Sequence, residues 1–345
     1  MIQDIRNFDI DELKEIVSSL NEPVFRANQI FKWLYEKGIE DFSQMSDIPE
    51  NLRTLLTTHY SSKLPEPLEI VKSKDHTKKF LFHLKDGNLV ETVLIPEKVR
   101  NTVCVSSQVG CKFGCVFCAS GKMGFIRNLE TSEIIGQILH IKVKENIKIS
   151  NVVFMGMGEP FDNYHNIIKA IRILNCKQGL NIAARKITIS TAGIVPFIDR
   201  FSNINWQVRL SVSLHAPDDK IRNRLMPINH KYPLAQLQEA CKRYIEKTGR
   251  RITLEYLLIK DINCTETSLI KLAQIAKTLN ANVNIILFNR IKDVYFSSPS
   301  QQTIYWFVNS LKKMGIATAI RNSRGKDINA ACGQLASKKN STCPI

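Results

Sequence analysis

Three cysteines carry the clearest chemistry in this chain. Cys111, Cys115 and Cys118 follow one another as C-x3-C-x2-C within VCVSSQVGCKFGCVFCASGKMGF, so one short loop can wrap its thiolates around a single metal centre. The number of ligands is informative. A structural zinc closes its tetrahedron with four ligands, and no C-x2-C or H-x3-H partner pair stands elsewhere, so zinc would need a lone Cys or His from afar. A 4Fe-4S cubane held by three thiolates keeps one iron open, and that iron can bind a substrate and pass it an electron. Gly110, Gly114, Phe113 and Phe117 suit a tight, solvent-shielded loop around such a centre.

The chain holds nine cysteines, an odd number that reads as metal ligands, working thiols or small core residues rather than a disulfide framework. Cys176, Cys241 and Cys264 lie in apolar or helical patterns and read as core residues. Cys104 ends a strand that leads into the cysteine loop, and Cys332 sits in AACGQL after the last expected strand. Taken alone, each reads as a buried structural thiol.

The elements that must position these residues come in two rhythms. From residue 8 to about 60, DIDELKEIVSSL, FRANQIFKWLYEKG and PENLRTLLTTHY repeat apolar residues at helical spacing, which predicts a small helical domain over 1–62. Residues 63–100 alternate apolar and polar positions around Asp86 and Gly87, as a β-hairpin or short meander would. Beyond residue 100, strands alternate with amphipathic helices. The strands are VCVSS, NVVFMG, KITIST, VRLSVSL, ITLEYLLI, VNIILF and IATAIR. That pattern predicts βαβ units and an α/β fold with a parallel sheet over 101–345, either doubly wound or curled into a full or partial barrel. In both, reactive residues lie just past the carboxyl ends of strands. Gly158 and Glu159 follow NVVFMG, Ser190 and the run Ser213, Leu214, His215 close two further strands, and Asn289 follows VNIILF. Each alone would serve as a cap or turn former, and together on one face of a sheet they outline a pocket.

Composition bounds the reading. The chain has 345 residues, 44% hydrophobic and 23% charged, with 15 Gly and 12 Pro, which excludes disordered and collagen-like chains. No apolar run approaches the roughly 20 residues of a spanning helix, and the polar, acidic start MIQDIRNFDIDELKEI is no signal or transit peptide, so a cytoplasmic protein without membrane partner is expected. The net charge is +16 and unevenly spread. Residues 1–100 carry 14 Lys plus Arg against 17 Asp plus Glu, a net of −3, and the rest carry 34 against 15, a net of +19. Such a field suits a polyanion such as nucleic acid, and Arg250, Arg251, Lys312, Lys313, Arg321, Arg324 and Lys326 are candidates to track phosphates.

The C-x3-C-x2-C loop with an aromatic before its last Cys resembles the signature of radical S-adenosylmethionine enzymes. Together with VETVLIP, CVSSQVGC, FMGMGEP, KITISTAG, LSVSLHAP, RLMPIN and RGKDINAACGQL, nearly the whole chain is similar to the RlmN family of RNA adenine methyltransferases. The resemblance implies a partial (β/α) barrel with a small helical amino-terminal domain and a short β extension. It implies one 4Fe-4S cluster on Cys111, Cys115 and Cys118. It implies S-adenosylmethionine bound by Gly158, Glu159, Ser190, Ser213, Leu214, His215 and Asn289, with Glu159 meeting its amino group.

It also implies a mechanism. Carbon 2 of adenine is electron-poor and cannot displace a methyl group as an amine would, whereas a carbon radical can add there. In the family, one S-adenosylmethionine methylates Cys332, and a second yields a 5′-deoxyadenosyl radical that abstracts hydrogen from that methyl group. The resulting radical forms a covalent adduct with the base. Glu91 matches the position that removes the carbon 2 proton, its alternative being a solvent-facing strand carboxylate. Cys104 then attacks the Cys332 sulfur, making a transient disulfide, which requires Cα atoms within about 4.4–6.8 Å in some state. The implied partners are 23S rRNA, tRNA and an electron donor such as a flavodoxin system, and a monomer is expected.

Two subfamilies share this chemistry, RlmN at carbon 2 and the Cfr type at carbon 8 of the same 23S rRNA adenine. Pro160 in GMGEP, with VETVLIP and SRGKDINAACGQL, reads as RlmN-like. Phe161 and Asp162 depart from the commoner GEPLLN, a change expected to be neutral. Two other classes make different predictions: a zinc-stabilised RNA-binding protein is colourless and leaves S-adenosylmethionine intact, and a radical enzyme of small metabolites works without RNA.

Overall fold

A computed structural model describes residues 2–336, so Cys343 lies outside the described residues. The amino-terminal unit is helical: α1 (Ile10–Ser19), α2 (Phe25–Lys32), which runs on through a π-helical turn at Trp33–Lys37, and α3 (Glu50–His59). Asp9 and Glu12 form a reciprocal capping box at the start of α1, and Gly38, at φ 69, ends the second helix in the left-handed region. The short strands β1 (Gln3–Asp4) and β2 (Tyr60–Ser61) pair in parallel and tie the two ends of the unit together. Leu13, Val17, Ile30, Phe31, Leu52 and Leu56 fill its interior.

The next four strands, β3 (Pro67–Lys72), β4 (Lys78–His83), β5 (Leu89–Glu97) and β6 (Arg100–Cys104), form an antiparallel meander. The expected turn at Asp86 and Gly87 joins β4 to β5, with Gly87 at φ 79. After β6 a small ribbon, β7 (Gln108–Gly110) with β8 (Phe125–Asn128), brackets the cysteine loop and the single-turn helix α4 (Ala119–Met123).

Then strand and helix alternate: α5 (Thr131–Lys144), β9 (Asn151–Phe154), α6 (Tyr164–Asn175), β10 (Ile187–Thr191), α7 (Val195–Ser202), β11 (Arg209–Ser213), α8 (Asp219–Leu225), α9 (Leu234–Thr248), β12 (Thr253–Leu258), α10 (Glu266–Thr278), β13 (Asn282–Leu287), α11 (Gln301–Lys313) and β14 (Thr318–Arg321). All seven strands expected beyond residue 100 are present. They run parallel in the order β14-β13-β12-β11-β10-β9-β6, and β5, β4 and β3 extend the same sheet on the far side of β6. Helices cover the outer face, so Ile187, Ile189, Val212, Leu254, Leu258, Val283 and Ile285 are buried, as expected of a parallel sheet.

The sheet is curled. Arg321 at the end of β14 places its Nη1 2.7 Å from Sδ of Met155, the residue after β9, although four strands separate β14 from β9 in the sheet order. This closure decides between the two α/β alternatives in favour of a partial barrel. The helical unit docks against α5 and α6 through Lys169–Glu12 at 2.6 Å, Arg172–Asp9 at 3.3 Å and Lys144–Glu40 at 2.7 Å. No helix among the described residues is long and apolar enough to cross a membrane.

Candidate active site

The cysteine loop is held by its backbone. The Cys111 amide bonds to the Gly124 carbonyl at 2.8 Å, Val116 to Leu225 at 3.1 Å, and Cys118 to Cys115 at 3.1 Å. Gly110 sits at φ 73, and a Cβ there would lie 1.8 Å from the Gly124 carbonyl oxygen, so the ribbon closes only around glycine. Burial pushes the Cys111 thiol up to about 12 and raises Cys115 and Cys118 as well, with further rises at Cys111 from Cys118, at Cys115 from Cys118 and Cys111, and at Cys118 from Cys332. A bound metal centre would relieve that penalty by taking the thiolates. No three His, Cys, Asp or Glu side chains among the described residues converge closely enough to grip one metal ion.

Above this loop, at the carboxyl ends of the strands, lies a cavity of about 170 Å³. It brings together Cys111, Cys115, Cys118, Gly158, Glu159, Ser190, Ser213, His215, Asn289 and Cys332. Leu214 does not line it: that side chain is buried, and its amide bonds to the Glu255 carbonyl at 3.0 Å. Gly158, at φ 96, permits a close approach, since a Cβ would meet the Gln108 side chain at 2.5 Å.

The Glu159 carboxylate accepts hydrogen bonds from the amides of Phe161 at 3.1 Å and Ala192 at 2.7 Å and from the Thr191 hydroxyl, with no cation beside it in that set. Burial therefore pushes it up to about 7, and an ammonium group delivered into the cavity would offset that cost. His215 sits at φ 54, and its Nδ1 accepts from the Leu257 amide at 3.0 Å. Burial lowers it to about 3, so the ring is neutral and carries its proton on Nε2. Phe117 packs edge-on against it at 4.9 Å. Asn289 donates to the Cys332 carbonyl at 3.2 Å, and its buried Oδ1 has no partner.

A second, smaller cavity of about 40 Å³ is lined by Cys104, Cys332, Met155, Ile286 and Arg321. Met155, Ile286, Arg321 and Cys332 also line the larger one and thus form the wall between the two. Both thiols are unpaired, and burial, followed by the nearby Cys332, pushes Cys104 up to about 12.

The segment carrying Cys332 is assembled by distant contacts. Ser73 Oγ donates to Asp327 at 2.5 Å, the Gly325 amide to Asp75 at 3.1 Å, Ser120 Oγ to the Leu335 carbonyl at 2.5 Å, and Gln334 to the Arg290 carbonyl at 2.9 Å. Glu91 lines neither cavity. It is buried on β5, paired with Lys79 at 2.8 Å, and accepts the Ala336 amide at 2.8 Å. The solvent-facing alternative for Glu91 is thereby excluded.

Two residues escaped the sequence reading. Glu255 lies within an apolar strand run, and Arg321 reads from the sequence as a residue that tracks phosphates, yet both line the large cavity. A charged residue inside ITLEYLLI is the signal that marks the first. Arg321 gives less warning, since a basic residue at a strand end is ordinary.

Comparison with known proteins agrees with this geometry. The Radical SAM superfamily model matches residues 105–272, and the model described as Ribosomal RNA large subunit methyltransferase N-terminal domain matches residues 3–61. A crystal structure of a radical SAM methyltransferase from Sphaerobacter thermophilus superposes with a TM-score of 0.91 at 42% identity, covering 96% of this chain and 99% of that one. A probable dual-specificity RNA methyltransferase RlmN from Dictyoglomus thermophilum is 45% identical over 337 residues, 97% of each chain. The chain belongs to the RlmN family. A similarly named relative from Geobacillus kaustophilus is 44% identical over 97% of this chain and 93% of its own.

Membership of RlmN within the radical SAM superfamily implies S-adenosylmethionine and a 4Fe-4S cluster, and the residues fit both. Three clustered thiols, a cation-free buried carboxylate, a glycine cradle and an orphaned amide oxygen converge on one cavity. The departure from the common RlmN motif at GEPFDN is absorbed by packing. Phe161 is buried against Tyr164 and Phe201, and Asp162 accepts from Gln108 at 2.8 Å and pairs with Lys112 at 2.5 Å.

Proposed function

We propose that this S-adenosylmethionine-dependent RNA methyltransferase methylates carbon 2 of a specific adenine in 23S rRNA and of the adenine just 3′ of the anticodon in some tRNAs. The observation that carries the reading is the shared wall. Cys332 lines both cavities, and Cys104 lines only the smaller, so one thiol can meet the cofactor and the other can meet only what Cys332 has become. Direct methyl transfer to RNA would need neither.

Cluster and S-adenosylmethionine, two molecules of the latter per turnover, supply the methyl group and the one-electron chemistry that activates it. Cys332 would accept that methyl group on sulfur and, once one hydrogen atom is abstracted from it by the one-electron chemistry, join its carbon to carbon 2 of the base, the adduct giving up one electron to the cluster as its carbon 2 proton leaves. Glu91, paired with Lys79 and bonded to Ala336, takes the carbon 2 proton. Cys104 attacks Sγ of Cys332: a sulfur–sulfur bond forms, the bond from sulfur to the bridging carbon breaks, and that carbon leaves as the methyl group once protonated. An external donor such as a flavodoxin system supplies electrons, and the basic surface of the barrel faces folded RNA.

The test is anaerobic reconstitution with reductant, S-adenosylmethionine and unmodified 23S rRNA fragment or tRNA, followed by mapping of the methyl group. Carbon 2 is expected. Methylation at carbon 8 would move the chain to Cfr-type chemistry, and absence of RNA methylation would overturn the reading.

A further inference from the structure

The large cavity contains one carboxylate that the chemistry above does not use. Glu255 projects from β12 with 2% of its surface exposed. Its Oε1 accepts from Asn284 Nδ2 at 3.1 Å on the neighbouring strand, the nearby Ser211 hydroxyl also favours its charged form, and its buried Oε2 makes no hydrogen bond of good geometry. A buried carboxylate oxygen left without a donor is costly and is tolerated where a ligand completes it. Arg321 is the one Lys or Arg among the described residues that lines this cavity; it donates to Met155 Sδ at 2.7 Å, and its charge also favours the ionised form of Glu255 without a hydrogen bond to it.

Register indicates which ligand group Glu255 faces. It pairs in the sheet with Ser213, and its backbone carbonyl accepts the amides of both Leu214 and His215, at 3.0 and 3.2 Å. Glu255 therefore builds the Ser213–His215 corner through its main chain and places a free acceptor beside it through its side chain. The cation-free Glu159 is the match for an ammonium group, whereas serine hydroxyl, neutral imidazole and a carboxylate already facing Arg321 favour a neutral group rich in O–H donors. The ribose of a nucleoside is such a group, whereas a sulfonium, a carboxylate or a phosphate offers no proton to donate.

We propose that Glu255 is a further cofactor-binding residue whose free Oε2 accepts a hydrogen bond from a ribose hydroxyl of S-adenosylmethionine. This rests on the cofactor and not on the RNA position methylated, so it is tested without RNA. The reconstituted holoenzyme, kept unreduced to prevent turnover, is titrated anaerobically with S-adenosylmethionine and with the 2′-deoxy and 3′-deoxy forms of S-adenosylhomocysteine beside its full-ribose form.

In the wild type, one deoxy analogue binds about tenfold more weakly or worse, the loss expected when a bond to a charged group disappears. Glu255→Gln and Glu255→Ala weaken the full-ribose ligands by a similar factor and bind that deoxy analogue no worse than the wild type does. Iron content checks that the cluster is intact in each variant. Equal losses for ribose and deoxyribose ligands, or unchanged cofactor affinity with weakened RNA binding, would overturn the assignment.

Discussion

The two ends of the large cavity are built in opposite ways. At one end, three thiols come from eight consecutive residues, and a ribbon fixed by backbone bonds and left-handed glycines sets their positions. At the other, Cys332 sits in a segment whose only regular element among the described residues is a single 3-10 turn at Lys326–Ile328, held by Ser73, Asp75, Glu91, Ser120, Asn289 and Arg290 from across the chain. A cluster needs a fixed cage. A thiol that, on the proposed mechanism, meets the cofactor, then the base, then Cys104 would need a tether with several separable ties.

The largest test of that contrast exchanges single atoms at each end. Cys332→Ala abolishes RNA methylation and leaves iron and sulfide content at the wild-type level, whereas Cys118→Ala removes both activity and cluster. Loss of iron in the Cys332 variant would show that the ends are not separable. Next comes Cys104→Ala, which stalls turnover after base attachment. A denaturation-resistant protein–RNA adduct is expected on gels, and clean release of methylated RNA would remove Cys104 from the scheme.

Two glycines compare the backbones directly. In Gly110→Ala the new Cβ meets the Gly124 carbonyl at 1.8 Å in a left-handed backbone, so most of the bound iron is lost. Gly333→Ala meets Phe117 O at 3.1 Å, so it bears mainly the conformational cost, about 1–2 kcal/mol, and retains its iron. Smaller still is Asp327→Ala, which cuts the ties to Ser73 Oγ and the Lys74 amide. Turnover falls a few-fold with iron unchanged, and amide exchange quickens around Gly325. Fast turnover in this variant would show that the tie is dispensable.

The mildest test is pH. Burial alone would raise Asp75, but hydrogen bonds from Thr77, Gly325 and Ser73 outweigh it and bring the carboxyl down to about 2. Its folded value lies below the ordinary 3.8, so its contribution is present above that value and is lost as pH falls through about 2. Carboxyl NMR titration should place the midpoint there and move it upward in Thr77→Ala.

The same contrast explains what the sequence disclosed. The cysteine loop was legible because its ligands, glycines and aromatics are neighbours, and the parallel strands were legible as apolar runs between amphipathic helices. Partial-barrel closure was not, because periodicity carries no information about which edge strands approach. The meeting of Arg321 with Met155 exists only in three dimensions. Glu91 illustrates the same limit: alternation places it on a strand, but its burial depends on Lys79 and on a residue 245 positions away.

The common wall of Met155, Ile286, Arg321 and Cys332 divides the interior into two rooms. On the proposed mechanism, carbon taken up beside the cofactor would cross that wall on a single sulfur atom. The partition would then act as an airlock, with the Cys332 sulfur reached from one room by the cofactor and from the other by Cys104.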